Sequence, residues 1–142
     1  MPIQKVMKKF FVAVGVMTVL TGAIFLVKYF NTLRVQARTS ELGADIDNLF
    51  AGLQQYKEHV GTYPVGGNAQ VVKALQGQNP KNIIILVSRK ARVNEKGEFV
   101  DPWGTALKVY FADNNVLVRS AGPNRRFDDS TSVEFDDYIR SN

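Results

Sequence analysis

Hydrophobic residues form one unbroken run near the start of the chain. From Phe10 to Val27 no residue is charged, and lysines bound the run on both sides. At a rise of ~1.5 Å per residue, a helix of that length covers roughly 27 Å, close to the hydrocarbon thickness of a bilayer. The run is longer than the core of a cleaved signal peptide, and residues 28–31 make a poor cleavage site. The pattern favours an uncleaved transmembrane helix over 10–27, after a short basic N-terminus over 1–9.

A periodic apolar pattern follows the uncharged run. Its residues recur at spacings of 4, 3, 4, 3 and 4, as on one face of a helix. They are Leu42, Ile46, Leu49, Leu53, Tyr56 and Val60. No proline interrupts residues 28–60, and Gly61 followed by Pro64 is typical of a helix end. We predict one helix over 10–60, whose second half packs on its own domain. A coiled-coil dimer through the same face is the alternative, although charge pairing beside it is poor.

Shorter elements are predicted after the long helix. A second helix runs from about Ala69 to Leu75, ended by Gly77. The apolar run over 83–87 fits either a strand or a buried loop. Residues 106–111 alternate between apolar and polar positions, and residues 116–120 return after an Asp-Asn-Asn turn, which predicts a β-hairpin. The fold class is therefore α+β, with a long N-terminal helix and a small antiparallel sheet.

The net charge of +5 is unevenly distributed along the chain. Residues 1–33 contain four lysines and no acid, whereas the rest has fourteen Lys/Arg against thirteen Asp/Glu. Lysines commonly flank membrane spans, and a basic N-terminal flank favours the cytoplasmic side. We therefore predict a cytoplasmic N-terminus, an extracytoplasmic domain over 28–142 and no nucleic-acid partner.

The residue types of common catalytic centres are scarce in this sequence. There is no cysteine, and the single histidine, His59, falls in the last turn of the predicted long helix. The sequence has neither a Gly-x-Ser-x-Gly motif nor a phosphate-binding glycine loop. We predict that the protein is not an enzyme and takes no small-molecule substrate.

Three segments resemble the major pseudopilin of bacterial type II secretion. They are residues 44–56 with the helix exit Gly61-Thr62-Tyr63-Pro64, the turn Asp101-Pro102-Trp103-Gly104-Thr105, and the loop Ser120-Ala121-Gly122-Pro123-Asn124. The likeness covers roughly residues 28–139 and implies a pilin-like fold in the inner (cytoplasmic) membrane, with a periplasmic domain. It implies a structural subunit that assembles with other pseudopilin-like or secretion-machinery subunits. The signature residues are Tyr63, Pro64, Asp101, Pro102, Trp103, Gly104, Gly122 and Pro123.

The resemblance also implies a calcium site near the C-terminus. In related pseudopilins this acidic loop binds calcium, an ion that prefers carboxylate and carbonyl oxygens. The candidate ligands are Asn124, Asp128, Asp129, Asp136 and Asp137. Their spacing is not that of an EF-hand loop. A solvated acidic stretch that balances nearby arginines is the alternative.

The N-terminus departs from the pseudopilin pattern. Members of that family are cut after a Gly or Ala that precedes a Phe, and their mature fifth residue is normally Glu. Here no Gly precedes Phe10 and no acid precedes Glu41. This departure favours a second hypothesis, an anchored extracytoplasmic binding module that reuses the pseudopilin fold without forming a filament.

Overall fold

The computed structural model describes residues 2–85, 92–112, 114–128 and 136–142. The helices and strands in chain order are α1 (Pro2–Val60), α2 (Asn68–Leu75), β1 (Lys108–Ala112), β2 (Asn115–Ser120) and β3 (Tyr138–Ser141). The chain divides into two compact units, residues 1–37 and residues 38–142. The predicted α+β class is confirmed, since a long N-terminal helix is followed by a small antiparallel sheet.

The first unit is a helix, and its apolar side chains that the structure describes are exposed. It begins at Pro2, earlier than the predicted start at Phe10, because proline is tolerated in a first helical turn and the following residues favour helix. Its threonine hydroxyl groups bond to the helix backbone: the Thr18 hydroxyl, for example, donates to the Gly15 carbonyl oxygen at 2.8 Å. By length and composition, this is a helix that could cross a membrane.

The second unit buries the apolar face that the sequence predicted. Leu42, Ile46, Leu49, Leu53 and Tyr56 are all buried. They pack with buried residues of α2 and β2, namely Val71, Val72, Ala74, Leu75, Val116 and Val118. Because the domain's own core covers this face of α1, the coiled-coil alternative is wrong.

Both helices end at the predicted glycines. The Gly61 N–H donates to the Lys57 carbonyl oxygen at 2.7 Å, with φ at +95°. Gly77, just after α2, has φ at +105°. Both values lie in the left-handed region that glycine enters readily.

The sheet has the strand order β1-β2-β3, and both pairings are antiparallel. The predicted hairpin is confirmed, with Val109 opposite Val118 in the register of β1 and β2. β3 was not predicted, because four residues are too few for a clear alternation signal. In the undecided run over 83–87, Ile84 forms an isolated bridge with Gln76, and residues 86–87 lie outside the described part of the chain.

An ionic cluster joins α1 to Arg92. The Arg92 guanidinium pairs with Glu41, and its Nε lies 4.0 Å from Asp45 Oδ2. Asp45 Oδ2 is buried and has no hydrogen-bond partner among the described residues. Burial raises the pKa of the Asp45 carboxyl above its ordinary value of 3.8.

Asp45→Asn is expected to stabilise the protein near neutral pH. The Asp45 carboxyl ionises at its ordinary pKa in the unfolded chain and at a higher pKa in the folded chain. The free energy of unfolding of the wild type therefore falls as the pH rises from the unfolded-state pKa to the folded-state pKa. We expect the variant's melting temperature to exceed that of the wild type at about pH 7, and the gap to close towards about pH 3. Thermal melts of the full chain in detergent, followed by Trp103 fluorescence, would measure this gap.

Asp47→Asn is the matched control, because Asp47 is exposed and pairs with Arg140 Nη2 at 2.7 Å. An exposed pair is worth only about 0–1 kcal/mol, so this variant should not gain stability. A stability gap for Asp45→Asn that does not vary with pH would show that the buried charge is not its cause.

Candidate functional site

The predicted Asp-Pro-Trp-Gly segment forms a turn that the carboxylate of Asp101 holds from inside. Asp101 is 1% exposed, and its Oδ1 accepts the N–H groups of Trp103 at 3.0 Å and Thr105 at 2.9 Å. The Gly104 N–H donates to the Asp101 carbonyl oxygen at 2.9 Å, with φ of Gly104 at +90°. Buried Pro102 completes the turn. Together these bonds fix the backbone on both sides of the Trp103 side chain.

Trp103 lies in the core of the second unit. It is 7% exposed and belongs to the same buried cluster as Leu107 and Phe99. The side chain of Asn68, the first residue of α2, secures the neighbouring backbone by accepting from Phe99 N–H at 2.8 Å and donating to the Leu107 carbonyl at 2.8 Å. Trp103 is therefore a core residue of the second unit.

Tyr63 and Pro64, two of the predicted signature residues, close the end of α1. Pro64 is buried, and the Tyr63 ring lies 5.7 Å from the Phe111 ring between centroids. The Tyr63 hydroxyl accepts from the Asn142 side-chain amide at 3.2 Å. Tyr63 thus ties the helix exit to strand β1 and to the residue that follows β3.

One buried hydroxyl links two of the three predicted signature segments. Ser120 is fully buried, and its Oγ donates to Asp101 Oδ2 at 2.7 Å. The same Oγ accepts the N–H of Gly122 at 3.1 Å. The turn at Asp101 and the loop at Gly122 are therefore parts of one hydrogen-bonded junction, while Pro123 is exposed beside it.

Gly122 is required where this loop meets the acidic residues. Its φ is +66°, and a Cβ placed there would collide with the Asp136 carbonyl oxygen. The strain and the collision act together, so no side chain fits without moving the backbone.

Gly122→Ala is expected to lower the free energy of unfolding by about 2–3 kcal/mol. Gly104→Ala is the matched control, because Gly104 also has positive φ, at +90°, yet a Cβ there meets nothing within 4 Å. The control should lose only about 1–2 kcal/mol from backbone strain. Urea titrations of both full-length variants would compare them, and equal losses would show that the collision with Asp136 has no effect.

Three carboxylates meet beside Gly122. Oxygens of Asp128, Asp136 and Asp137 lie within 4.8 Å of one another, and all three residues are half-buried. Asn124 donates its backbone N–H to Asp136 Oδ2 at 3.1 Å and its side-chain amide to Asp128 Oδ2 at 2.6 Å. Four of the five predicted ligands therefore come together, whereas Asp129 lies outside the described residues.

Arg119 belongs to this acidic cluster, and the sequence analysis missed it. Its Nε donates to Asp137 Oδ2 and its Nη2 to the carbonyl oxygen of Asp128. The Asp137 side chain is fully buried, so this acid is not part of a solvated stretch. The ring of Phe127 lies under Lys108 Nζ, 3.9 Å from its centroid. The sequence feature that could have indicated this role is an arginine on the strand that precedes the acidic loop.

The cluster offers oxygen atoms suited to a hard cation. Among the described residues, the three carboxylates lie together, and Arg119 pairs with Asp137. Oδ1 of Asp136 is buried and has no hydrogen-bond partner among the described residues. A buried oxygen of that kind is costly unless something satisfies it, and calcium ligation would. The residues present therefore fit such an ion.

His59 lies on the exposed surface of α1. Its Nδ1 donates to the Gln55 carbonyl oxygen at 2.8 Å, one turn back along the helix. This bond leaves Nε2 as the unprotonated ring nitrogen of the neutral side chain.

The described residues thus define a small α+β protein that begins with a helix apolar enough to cross a membrane. Comparison with known proteins finds no matching family model, no matching curated protein and no matching solved structure. The functional interpretation therefore rests on the apolar helix, the junction at Asp101 and the acidic cluster.

Proposed function

We propose that the protein is a membrane-anchored, pseudopilin-like structural subunit of a type II secretion or pilus-like assembly. One observation carries the proposal. The segments that resemble the pseudopilin signature are remote in sequence, yet Asp101 and Ser120 join two of them by a buried hydrogen bond of 2.7 Å. This contact supports the proposal because it joins the two segments in one buried junction of the folded domain.

The apolar helix supports the membrane part of the proposal. Large side chains such as Phe25, which is 79% exposed, have no covering partner among the described residues of the first unit. In our proposal this helix lies in a bacterial inner membrane and packs against equivalent helices of other subunits. In our proposal the N-terminus is cytoplasmic and the second unit periplasmic, and the lysines before Phe10 support this orientation.

We include a calcium ion in the proposal, held by the acidic cluster. Asp128, Asp136 and Asp137 would supply carboxylate oxygens, and bound calcium would neutralise their charge and order the loop. Arg119 keeps Asp137 in place, and Asn124 orients the other two acids by donating to both.

Calcium is expected to raise the melting temperature of the full chain by on the order of 10 °C at a hundredfold excess over Kd. Asp136→Asn should abolish this rise, because Asp136 carries the unpaired buried oxygen, while the pair of Arg119 with Asp137 is retained. Asp47→Asn removes the same charge elsewhere and should respond like the wild type. A calorimetric titration without heat, together with an unchanged melting temperature, would remove calcium from the proposal.

The assembly role is tested by intact mass and by cross-linking in native membranes. A mass that lacks the residues before Phe10 would show processing by a prepilin-type peptidase. The chain has no cysteine, so Val16→Cys and Leu20→Cys, at exposed positions of the apolar helix, can report neighbouring copies after oxidation. The two positions lie on one face of the helix, so oxidation should give covalent dimers of neighbouring copies.

The second hypothesis, an anchored binding module, predicts the opposite results. The absence of any acid before Glu41 is the observation that favours it. Under that hypothesis the mass is that of the full chain, and the doubly substituted protein remains monomeric after oxidation.

A further inference from the structure

The charge of the chain separates cleanly between its two units. The first unit, residues 1–37, contains five basic residues and no acidic one. These are Lys5, Lys8, Lys9, Lys28 and Arg34. The thirteen remaining Lys/Arg are matched by the thirteen Asp/Glu, which all lie in the second unit. The whole net charge of +5 therefore belongs to the first unit.

The first unit offers no counter-charge to these residues. The ion pairs found among the described residues all lie in the second unit and use Arg92, Arg119 and Arg140. The side chains of Lys8, Lys9, Lys28 and Arg34 are exposed. Among the described residues, none of these four side chains forms an ion pair, so an anion from outside the chain can approach them.

The position of these charges along the helix indicates what that group is. Lys9 and Lys28 directly bound the apolar run, and Arg34 lies about 9 Å beyond Lys28 along the axis. The headgroup layer extends some 5 to 8 Å beyond the hydrocarbon on each side, and long basic side chains reach along the helix towards it. A helix with this run in lipid therefore holds its basic groups at the level of the phosphates.

Two aromatic residues mark the same level at one end of the run. Tyr29 and Phe30 are 60% and 56% exposed, and their rings meet edge to face with centroids 6.0 Å apart. Exposed aromatic side chains are typical of the membrane interface. With the apolar run in lipid, Tyr29 and Phe30 hold this end of the run in the headgroup region, and Lys28, the preceding residue, lies in the same region.

We propose that the first unit selectively binds anionic phospholipids, with Lys28 and Arg34 at one end of the apolar run and Lys8 and Lys9 at the other. The inference rests on the proposed membrane anchoring. A zwitterionic headgroup carries its own cation beside the phosphate, whereas an anionic headgroup can neutralise a lysine or arginine fully. The positive charge of the unit, unopposed within it, therefore favours anionic lipid.

Spin-labelled lipids test this proposal with the full chain in mixed phosphatidylcholine–phosphatidylglycerol vesicles. Electron paramagnetic resonance reports the fraction of each labelled lipid that the protein immobilises. Labelled phosphatidylglycerol should associate about fivefold more strongly than labelled phosphatidylcholine, and high salt should reduce the preference. Lys28→Gln with Arg34→Gln, and Lys8→Gln with Lys9→Gln, should each lower the ratio, and the fourfold variant should bring it to about one.

Lys73→Gln with Lys81→Gln is the matched control, because it removes two exposed charges from the second unit. The control should keep the wild-type ratio. Equal association of both lipids with the wild type, or an unchanged ratio in the fourfold variant, would overturn the inference while the anchor stands. Release of the wild-type chain from the vesicles by alkaline extraction would instead overturn the membrane anchoring itself.

Discussion

Replacing Trp103 with alanine is expected to lower the free energy of unfolding by about 3–5 kcal/mol. The side chain is 7% exposed and is surrounded by core residues, so its removal loses apolar burial and leaves a cavity. The Asp101 carboxylate fixes the backbone on both sides of Trp103, which limits how far the site can collapse. Sites that cannot collapse lie at the upper end of the range.

Circular dichroism melts of the full chain in detergent would measure the effect of Trp103→Ala, since this variant lacks the fluorescent reporter. A loss of this size should lower the melting temperature by more than about 10 °C. Tyr110→Ala is the control, because Tyr110 is 48% exposed on β1 and should cost far less. A Trp103→Ala variant that melts at the wild-type temperature would contradict the burial of the ring.

Asp101→Ala is expected to cost about 3–5 kcal/mol for a different reason. It removes the acceptor for the N–H groups of Trp103 and Thr105 and for the Ser120 hydroxyl. Donors left unsatisfied in a buried place each cost about 1–3 kcal/mol, and the Asp101 side chain is almost fully buried. The free energy of unfolding therefore falls because hydrogen-bond donors are left without an acceptor, as well as because side-chain volume is removed.

Asp101→Asn is the informative comparison, because it keeps Oδ1 as the acceptor for both N–H groups. It replaces only Oδ2, the oxygen that accepts the hydrogen bond of the Ser120 hydroxyl. We therefore expect a clearly smaller loss in the free energy of unfolding, close to that of Ser120→Ala. Urea titrations followed by Trp103 fluorescence would rank the three variants. Equal losses for Asp101→Ala and Asp101→Asn would show that the bonds to the turn contribute little.

The junction also connects this turn to the acidic cluster. Asp101 bonds Ser120, Ser120 bonds Gly122, and the backbone of Gly122 lies against Asp136. In the proposed function, Asp101→Ala should therefore weaken calcium binding although Asp101 is not a proposed ligand. Double-mutant cycles between Asp101 and Asp136 would measure this coupling.

Local patterns in the sequence determined the elements of this protein. The 3–4 spacing of apolar residues from Leu42 onward predicted the buried face of α1, because helical periodicity depends only on neighbours along the chain. Gly61 and Gly77 predicted the helix ends for the same reason, since positive φ is a property of single residues. Patterns of neighbouring residues also predicted the hairpin of β1 and β2 and the apolar run of the first unit.

The tertiary structure alone decided how distant residues meet. Strand β3 exists because β2 offers it a free edge, which its own four residues do not signal. Ser120 bonds Asp101 across nineteen residues and Arg119 bonds Asp137 across eighteen, pairings that no local pattern encodes. The burial of Asp45 Oδ2 likewise arises from the packing around it. Such contacts depend on which segments the folded core brings together, whereas periodicity and turn chemistry are already present in the unfolded chain.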